Sequence, residues 1–342
     1  MSATTAFLGL NRAVPSASLL SRDDPATLGF DTTSWKHLNR YVAKVEGLPT
    51  TLQGGSEALT VALARLRSLA AAFGSPKQLR HLIQEQPDAL AGDQPPATLY
   101  ASVAWMVQHL HQSASSVIAT LQTFPASTIF ADDVRTGLQR LGADAQTARA
   151  AIGPLVAALR SFKTDIVEAN AALSEAYRTD AAALQQLQEQ TGSQQVKLAS
   201  VQTQIEQLGF FSAGKKRELD REQEKQKEQQ QETSVRSETL RAALAAVEPI
   251  QNEGFWLEPG IDDLVSFLDG LRKVLTTFGS GVTQLAADAA DTQLSDAAGM
   301  QKLLGNDASI EQWKAIDGAA SRFLARALID FPPLPSATQE QP

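Results

Sequence analysis

The feature that most constrains the fold is a heptad-like repeat between about residues 144 and 208. Seam positions recur there in alternating steps of three and four, first from Leu155 to Leu173 and again from Leu184 to Leu208. The two sets are eleven residues apart, which is one stutter in a heptad repeat. A helix carrying this seam needs a partner helix along its length, and an unbroken one would span roughly 90 Å. The repeat therefore predicts one very long, paired helix.

The expected partner is the next segment, from Lys215 to about Val247, which follows a short break at residues 209–214. Its first part is so rich in charge, with Leu219 and Val235 almost its only large apolar residues, that it cannot be buried. We therefore predict an antiparallel two-helix stalk, supported by pairs of opposite charge three and four residues apart. The predicted seam of the stalk consists of Leu184, Leu187, Leu198, Val201, Ile205, Leu208 and Leu219.

Helix-forming residues dominate the whole chain, whereas β-branched and aromatic clusters are scarce. The predicted fold class is all-α, with an elongated helical bundle body and a long antiparallel coiled-coil hairpin stalk. Residues 1–183 and 241–342 form the two parts of the body, and residues 184–240 form the stalk. Amphipathic patterns predict body helices after Asp31, from residue 56 or 57 to Phe73, between residues 76 and 90, from 261 to about 290, and from 309 to 330. A partly helical arm precedes them.

Charge and composition exclude several classes of protein. The 38 acidic and 30 basic residues give a net charge of −8, which argues against a nucleic-acid-binding protein. The absence of cysteine excludes disulfides and cysteine nucleophiles, but it leaves the cellular compartment open. No stretch approaches 18 consecutive apolar residues, and the first residues lack the basic start of a standard signal peptide. We therefore expect neither a constitutive transmembrane helix nor such a signal.

The end of the predicted stalk combines apolar and basic residues. Phe210 and Phe211 lie in the break between the helices, and Lys215, Lys216 and Arg217 follow at the start of the second helix. An apolar wedge beside cations suits a surface of anionic lipid head groups. We therefore interpret residues 209–217 as a membrane-contacting tip. The alternative is a hairpin turn whose phenylalanines simply close the coiled coil, and the residues alone do not separate the two.

Patterns for catalysis, cofactors and metals are weak. Gly209, Gly214 and Lys215 have the spacing of a phosphate-binding loop, but Lys216 replaces the required Ser or Thr and a helix replaces the preceding strand. The four histidines are too few and too poorly spaced to form a metal site. We therefore expect no catalytic residues, cofactor or metal, and we do not expect the chain to be an enzyme.

Three stretches resemble one family of toxins: the early helix WKHLNRYVAKVEGLPTT, the tip LGFFSAGKKREL and the last helix SIEQWKAIDGAASRFL. With the long hairpin, they are similar to α-helical pore-forming toxins of the cytolysin A and haemolysin BL superfamily. The xenorhabdolysin-type binary cytolysins look most similar, and the length and hydrophilic hairpin resemble their shorter, B-type component.

The resemblance implies a protein secreted without a standard signal peptide and soluble before activation. It further implies a second toxin component, a longer homologous helical protein, with which this chain would join on a target-cell membrane. The two would assemble into a hetero-oligomeric ring that forms a pore without covalent chemistry.

The chain departs from single-component members of the family at its tip, which lacks their long apolar tongue. Its hairpin could instead line the aqueous side of a pore, where a polar helix face is tolerated. Another possibility is release of the nearly charge-free segment 95–131 on activation. A different class of function also fits the same residues: a non-lytic coiled-coil scaffold or tether whose stalk engages a helix of a partner protein.

Overall fold

A computed structural model describes residues 19–31, 33–49, 51–92, 94–123, 131–208, 213–251, 253–294 and 306–328. Nearly all of these residues are helical, and the β-structure among them is an isolated bridge between Leu20 and Leu28. The predicted all-α class is therefore confirmed. The helices are α1 (Thr33–Gly47), α2 (Glu57–Phe73), α3 (Pro76–Glu85), α4 (Leu99–Thr123), α5 (Ala131–Gln207), α6 (Ala213–Gln251), α7 (Leu257–Asp288), α8 (Asp291–Leu294) and α9 (Asn306–Ala327).

The very long helix predicted from the heptad repeat is α5. It begins at Ala131, ahead of the expected start near residue 144, and continues through Pro154 to Gln207. Asp132 and Asp133 lie in its first turn, where acidic side chains stabilise the free N–H groups and the helix dipole. A proline in a helix interior removes one backbone hydrogen bond, but tertiary packing supplies most helical stability in proteins.

Helix α7 begins at Leu257 rather than at the expected Ile261. Pro259 lies in the first turn of the helix and is accommodated there, because backbone N–H groups in that turn have no helical acceptor. Asp262 consequently lies beyond the first turn and accepts a hydrogen bond from Nζ of Lys163 on α5 at 2.8 Å. This hydrogen bond raises the pKa of Lys163. Asp262 thus links α7 to α5.

The chain divides into two compact units. The first contains residues 1–43, 69–165 and 256–342. Its core includes an aromatic cluster in which the ring centroid of Phe30 lies 5.5 Å from that of Trp35, 4.8 Å from that of Phe267 and 5.0 Å from that of Phe323. Leu19 and Leu28 are fully buried as well. The described part of the predicted arm therefore belongs to the core, because its apolar residues fold back as a turn closed by the bridge at residues 20 and 28.

Helices α4 and α9 pack against each other in the first unit. The hydroxyl of Tyr100, on α4, donates a hydrogen bond to the carbonyl oxygen of Ala327 at 3.0 Å, and the hydroxyl of Ser115 donates one to Asp317 at 2.8 Å. The first two turns of α4 are almost entirely buried, as expected for a helix without charged residues. Beyond Leu110, exposed residues recur along α4, so its first half is the part that lies in the core.

The second unit contains residues 44–68 and 166–255. It is built from the C-terminal part of α5 and from α6, together with residues of α1 and α2. The buried carboxylate of Asp180 accepts a hydrogen bond from the backbone N–H of Ser56 at 2.9 Å, directly before α2 begins. Lys44 forms an ion pair with the largely buried Glu253 at 2.6 Å. These polar contacts fix the base of the paired helices.

Candidate functional site

The predicted stalk lies within the second unit, where α5 and α6 pair in antiparallel fashion. Two hydrogen bonds define the register: Ser174 to Gln251 at 2.7 Å, and Gln194 to Thr233 at 3.3 Å. In both pairs the two residue numbers add to nearly the same value, so the register is kept over more than five helical turns. Residues 184–207 and 213–240 are each part of one continuous helix.

The seven residues predicted to form the stalk seam lie on the less exposed side of the two helices. Val201 and Leu219 are buried, with 8% and 9% of their surface exposed. Leu184, Leu187, Leu198, Ile205 and Leu208 are half-buried. In a hairpin of only two helices, each seam residue has one neighbouring helix and keeps part of its surface in contact with solvent.

The inward-facing positions of α6 are polar along most of the stalk. Gln223, Gln226 and Gln230 are half-buried, whereas most of the residues between them are exposed. The register of the Gln194–Thr233 pair brings Gln226 opposite Val201 and Gln230 opposite Leu198. An apolar seam on α5 is therefore matched by glutamines on α6.

Sequence reasoning missed this line of glutamines because it looked for apolar partners on α6. One of the two large apolar residues it noted there, Val235, is 54% exposed and lies outside the seam. The signal was present in the heptad spacing of residues 223, 226 and 230, continued at Thr233 and Ser237. Apolar packing resumes at Leu240, Leu244, Val247 and Ile250, all of which are buried.

The tip is described only in part. Phe210 and Phe211 lie outside the described residues, and their membrane-contacting role stays a prediction. Lys215, Lys216 and Arg217 lie near the start of α6 with exposed side chains. None of the three forms an ion pair with another residue of the described segments. They are therefore free to interact with an external anion.

These three cations are unfavourably placed for the stability of their own helix. The N-terminus of a helix carries a partial positive charge, and each cation placed there typically costs about 0.3–1 kcal/mol. The first turns of α2, α5 and α7 contain acidic residues, but that of α6 contains none. An anion bound at this end would meet both the free N–H groups and the three side chains.

The histidines have structural surroundings in the first unit. The ring of His37 stacks on Trp256 at 4.8 Å, and that of His109 lies 4.2 Å from Trp105. His111 Nδ1 is 2.9 Å from a carboxylate oxygen of Asp317. Within the described segments, no three side chains of the metal-ligating types come together in a group. None of the helices in these segments combines the length and apolar character needed to cross a bilayer.

No protein-family model matches the chain, and comparison with curated proteins found no match. Solved structures do resemble it. The soluble AhlC protein of the tripartite α-pore-forming toxin AHL, from Aeromonas hydrophila, is 12% identical with a TM-score of 0.53, covering 86% of this chain and 98% of AhlC. The chain shares the fold of AhlC.

A second solved structure has the same fold. SmhB, in the pore of the tripartite α-pore-forming toxin Smh from Serratia marcescens, is 10% identical with a TM-score of 0.54. The alignment covers 94% of this chain and 98% of SmhB. The fold is thus found in one protein solved in a soluble form and in another solved as a pore.

Proposed function

We propose that this chain is one component of a multi-component α-pore-forming toxin. In this proposal the chain is secreted and is soluble before activation. It binds a target membrane through residues 209–217 and assembles with a partner protein into an oligomeric pore. Residues 1–183 and 241–342 would serve as the body, and residues 184–240 as the membrane-directed stalk.

The observation that carries the proposal is the form of the hairpin between residues 184 and 240. Its two helices are continuous, its seam is thin, and its second helix begins with three exposed cations that lack an ion-pair partner among the described residues. Each cation near an anionic membrane surface contributes on the order of 1 kcal/mol, and a buried phenylalanine roughly 1.5–3 kcal/mol. Two phenylalanines and three cations would together hold the tip at a membrane surface.

The shared fold with AhlC and SmhB supports the same proposal, since both are components of tripartite α-pore-forming toxins. We further propose that this chain acts as the shorter, B-type component beside a longer homologous protein. The hydrophilic composition of α6 supports this role, because a polar arm suits the aqueous side of a pore better than its lipid face. Candidate partners should be tested singly and together, since the toxins of similar fold have three components.

The first experiment tests the tip by changing Phe210 and Phe211 to serine. The purified double variant and the unchanged protein are mixed with vesicles containing phosphatidylserine, and the bound fraction is measured by flotation. We expect the unchanged protein to float with the vesicles and the variant to lose most of its binding. The circular dichroism spectrum and melting temperature should stay unchanged.

A matched control changes Val196 and Val235 to serine. These side chains are 72% and 54% exposed, one on each helix of the stalk, so this variant loses two apolar residues at exposed positions away from the tip. The proposal requires the control to bind vesicles like the unchanged protein. Equal loss in both double variants would contradict a specific role for the tip.

A second experiment separates pore formation from membrane binding. Vesicles loaded with a self-quenching dye are mixed with this chain and candidate partners, and both dye release and ring-shaped oligomers are recorded. The proposed function predicts release only when a partner is present, and none with the Phe210/Phe211 variant. Partner binding that occurs without dye release and is insensitive to the tip change would favour the non-lytic scaffold, whose stalk engages a protein helix. Dye release that is insensitive to the tip change would contradict the proposed role of residues 209–217.

A further inference from the structure

The first unit contains a groove of about 700 Å³ between α5 and α7 that the proposed function does not use. Cations line both sides of the groove: Arg149 projects from α5, and Arg272 and Lys273 project from α7. Gln146, Thr276 and Thr277 add polar atoms between them. Its volume lies in the range of pockets that hold small organic ligands, about 300–1,000 Å³.

Small residues open the groove on the α5 side. Ala150 and Gly153 line it, and a side chain added at Gly153 would meet no atom within 4 Å. The wall of the groove therefore offers space beside the cations.

The charge of the groove is opposite in sign to that of the chain, whose net charge is −8. Asp269, which lies nearby on α7, is engaged by Arg160 at 2.9 Å and by Arg272 at 3.4 Å. Arg149 and Lys273 form no ion pair with any residue in the described part of the chain. Two exposed cations without an ion-pair partner in the described part of the chain thus line one groove, which gives an anion two points of attachment.

The chemistry of the lining selects the kind of anion. A phosphate monoester carries a charge of about −1.5 to −2 at neutral pH, which balances the two unpaired cations, and the guanidinium fork of Arg149 matches its oxygens. The hydroxyl groups of Thr276 and Thr277 donate to backbone carbonyls of their own helix, at 2.7 and 3.0 Å. Their oxygens remain able to accept hydrogen bonds from the hydroxyl groups of a ligand.

We propose that this groove binds a phosphate monoester of a sugar or other polyol. The phosphate lies between Arg149 and Lys273, with Arg272 at its edge. The ligand hydroxyl groups bond to the threonine oxygens and to Gln146. The same chemistry occurs in free sugar phosphates and in phosphorylated inositol lipid head groups. The inference is independent of the proposed pore function, because it concerns only residues of the first unit.

Isothermal titration calorimetry of the full chain tests this site with glucose 6-phosphate, glucose and inorganic phosphate as probes. We expect saturable binding of glucose 6-phosphate, at least tenfold weaker binding of inorganic phosphate, and no binding of glucose. Flotation with vesicles containing phosphatidylinositol 4-phosphate tests the lipid source. Binding of the soluble ester alone identifies a free ligand, whereas binding of the vesicles alone identifies a lipid head group. Absence of binding to both would overturn the proposal.

Two variants place the binding in the groove. Arg149→Gln combined with Lys273→Gln removes the unpaired cations, and we expect at least tenfold weaker binding. The matched control, Lys77→Gln with Arg140→Gln, makes the same change in net charge at exposed positions outside the groove. Arg140 precedes Arg149 by nine residues, which places it on the opposite side of α5. Equal loss in the two variants would show that the attraction is merely to net charge and would overturn the proposal.

A steric variant tests the groove without changing charge. Ala150→Leu places a larger side chain in the space, and binding should fall at least tenfold while the melting temperature is kept. Ala157→Leu, at an exposed position of the same helix outside the groove, is the control and should bind normally. Unchanged binding in the Ala150 variant would place the ligand elsewhere and refute the proposed site.

Discussion

The glutamines that face the apolar seam of α5 should limit the stability of the stalk. Gln226 and Gln230 are half-buried opposite Val201 and Leu198. Replacing both glutamines with leucine would extend the apolar seam across the hairpin. Glutamine and leucine have similar helix propensities, so the change acts through packing rather than through the helix itself.

The expected magnitude follows from the burial of these positions. Full burial of a leucine side chain contributes about 1.5–3 kcal/mol, and a half-buried position about half of that. The two substitutions together should therefore raise the free energy of local opening by roughly 1.5–3 kcal/mol. Because about 1.4 kcal/mol corresponds to a factor of ten, backbone amides in residues 213–240 should exchange about 10–100-fold more slowly.

Hydrogen exchange measured by mass spectrometry provides the assay, and the chain offers a close control. Gln229 and Gln231 lie on the same helix, but their side chains are exposed. Changing these two glutamines to leucine keeps the composition of the first variant without extending the seam. If the control slows exchange as much as the seam variant, or if the seam variant has no effect, the proposed pairing of the two helices is wrong.

Three further predictions concern the parts of the chain that support the stalk and the groove. A Cβ atom at Gly260 would lie 2.8 Å from a backbone oxygen of α1, whereas one at Gly270 would have its nearest neighbouring atom 3.9 Å away. In denaturant unfolding, Gly270→Ala should therefore stabilise the protein by up to about 1 kcal/mol, and Gly260→Ala should be less stable than that variant by about 1–3 kcal/mol. Equal stabilities of the two variants would contradict the close approach at Gly260. Burial raises the pKa of Tyr41 well above its ordinary value. The contribution of Tyr41 to the free energy of unfolding should therefore be complete below pH ~10 and fall above it by up to about 1.4 kcal/mol per pH unit. Tyr41→Phe should remove this dependence on pH, and an unchanged dependence would assign it to other groups. Asp180→Ala removes the acceptor of the Ser56 N–H and should lower the stability of the start of α2 by about 1–2 kcal/mol. Amide hydrogen exchange in the first turn of α2 should become faster, and unaltered exchange there would contradict a capping role of Asp180.

Helix positions were largely predictable because periodicity and end signals act locally. Helix α2 ends at Phe73, as predicted, since Gly74 adopts a positive φ of 87° that ends a helix readily. Ser75 accepts a hydrogen bond from the N–H of Gln78 and thereby begins α3. The start of α7 was placed four residues late, at residue 261, although the first turn of a helix accepts a proline such as Pro259.

The tip and the groove differ in how far the sequence could indicate them. The contiguous run of Lys215, Lys216 and Arg217 after two phenylalanines is visible in the sequence, and its interpretation as a membrane contact stays a prediction. The groove joins Arg149 to Lys273, which are more than a hundred residues apart. No local pattern connects them, so sequence reasoning had no means of finding this site.

By itself, the sequence determined the all-α class, the long heptad helix and the presence of a charged return helix, because helix propensity, apolar spacing and charge act over a few residues. Only the tertiary structure decided which side chains oppose one another. It placed glutamines rather than Val235 in the seam, brought Phe30 of the N-terminal segment into the aromatic core, and put unpaired cations of two helices into one groove. These outcomes depend on register and packing between distant segments, and a one-position shift in register would change every pairing along the helices.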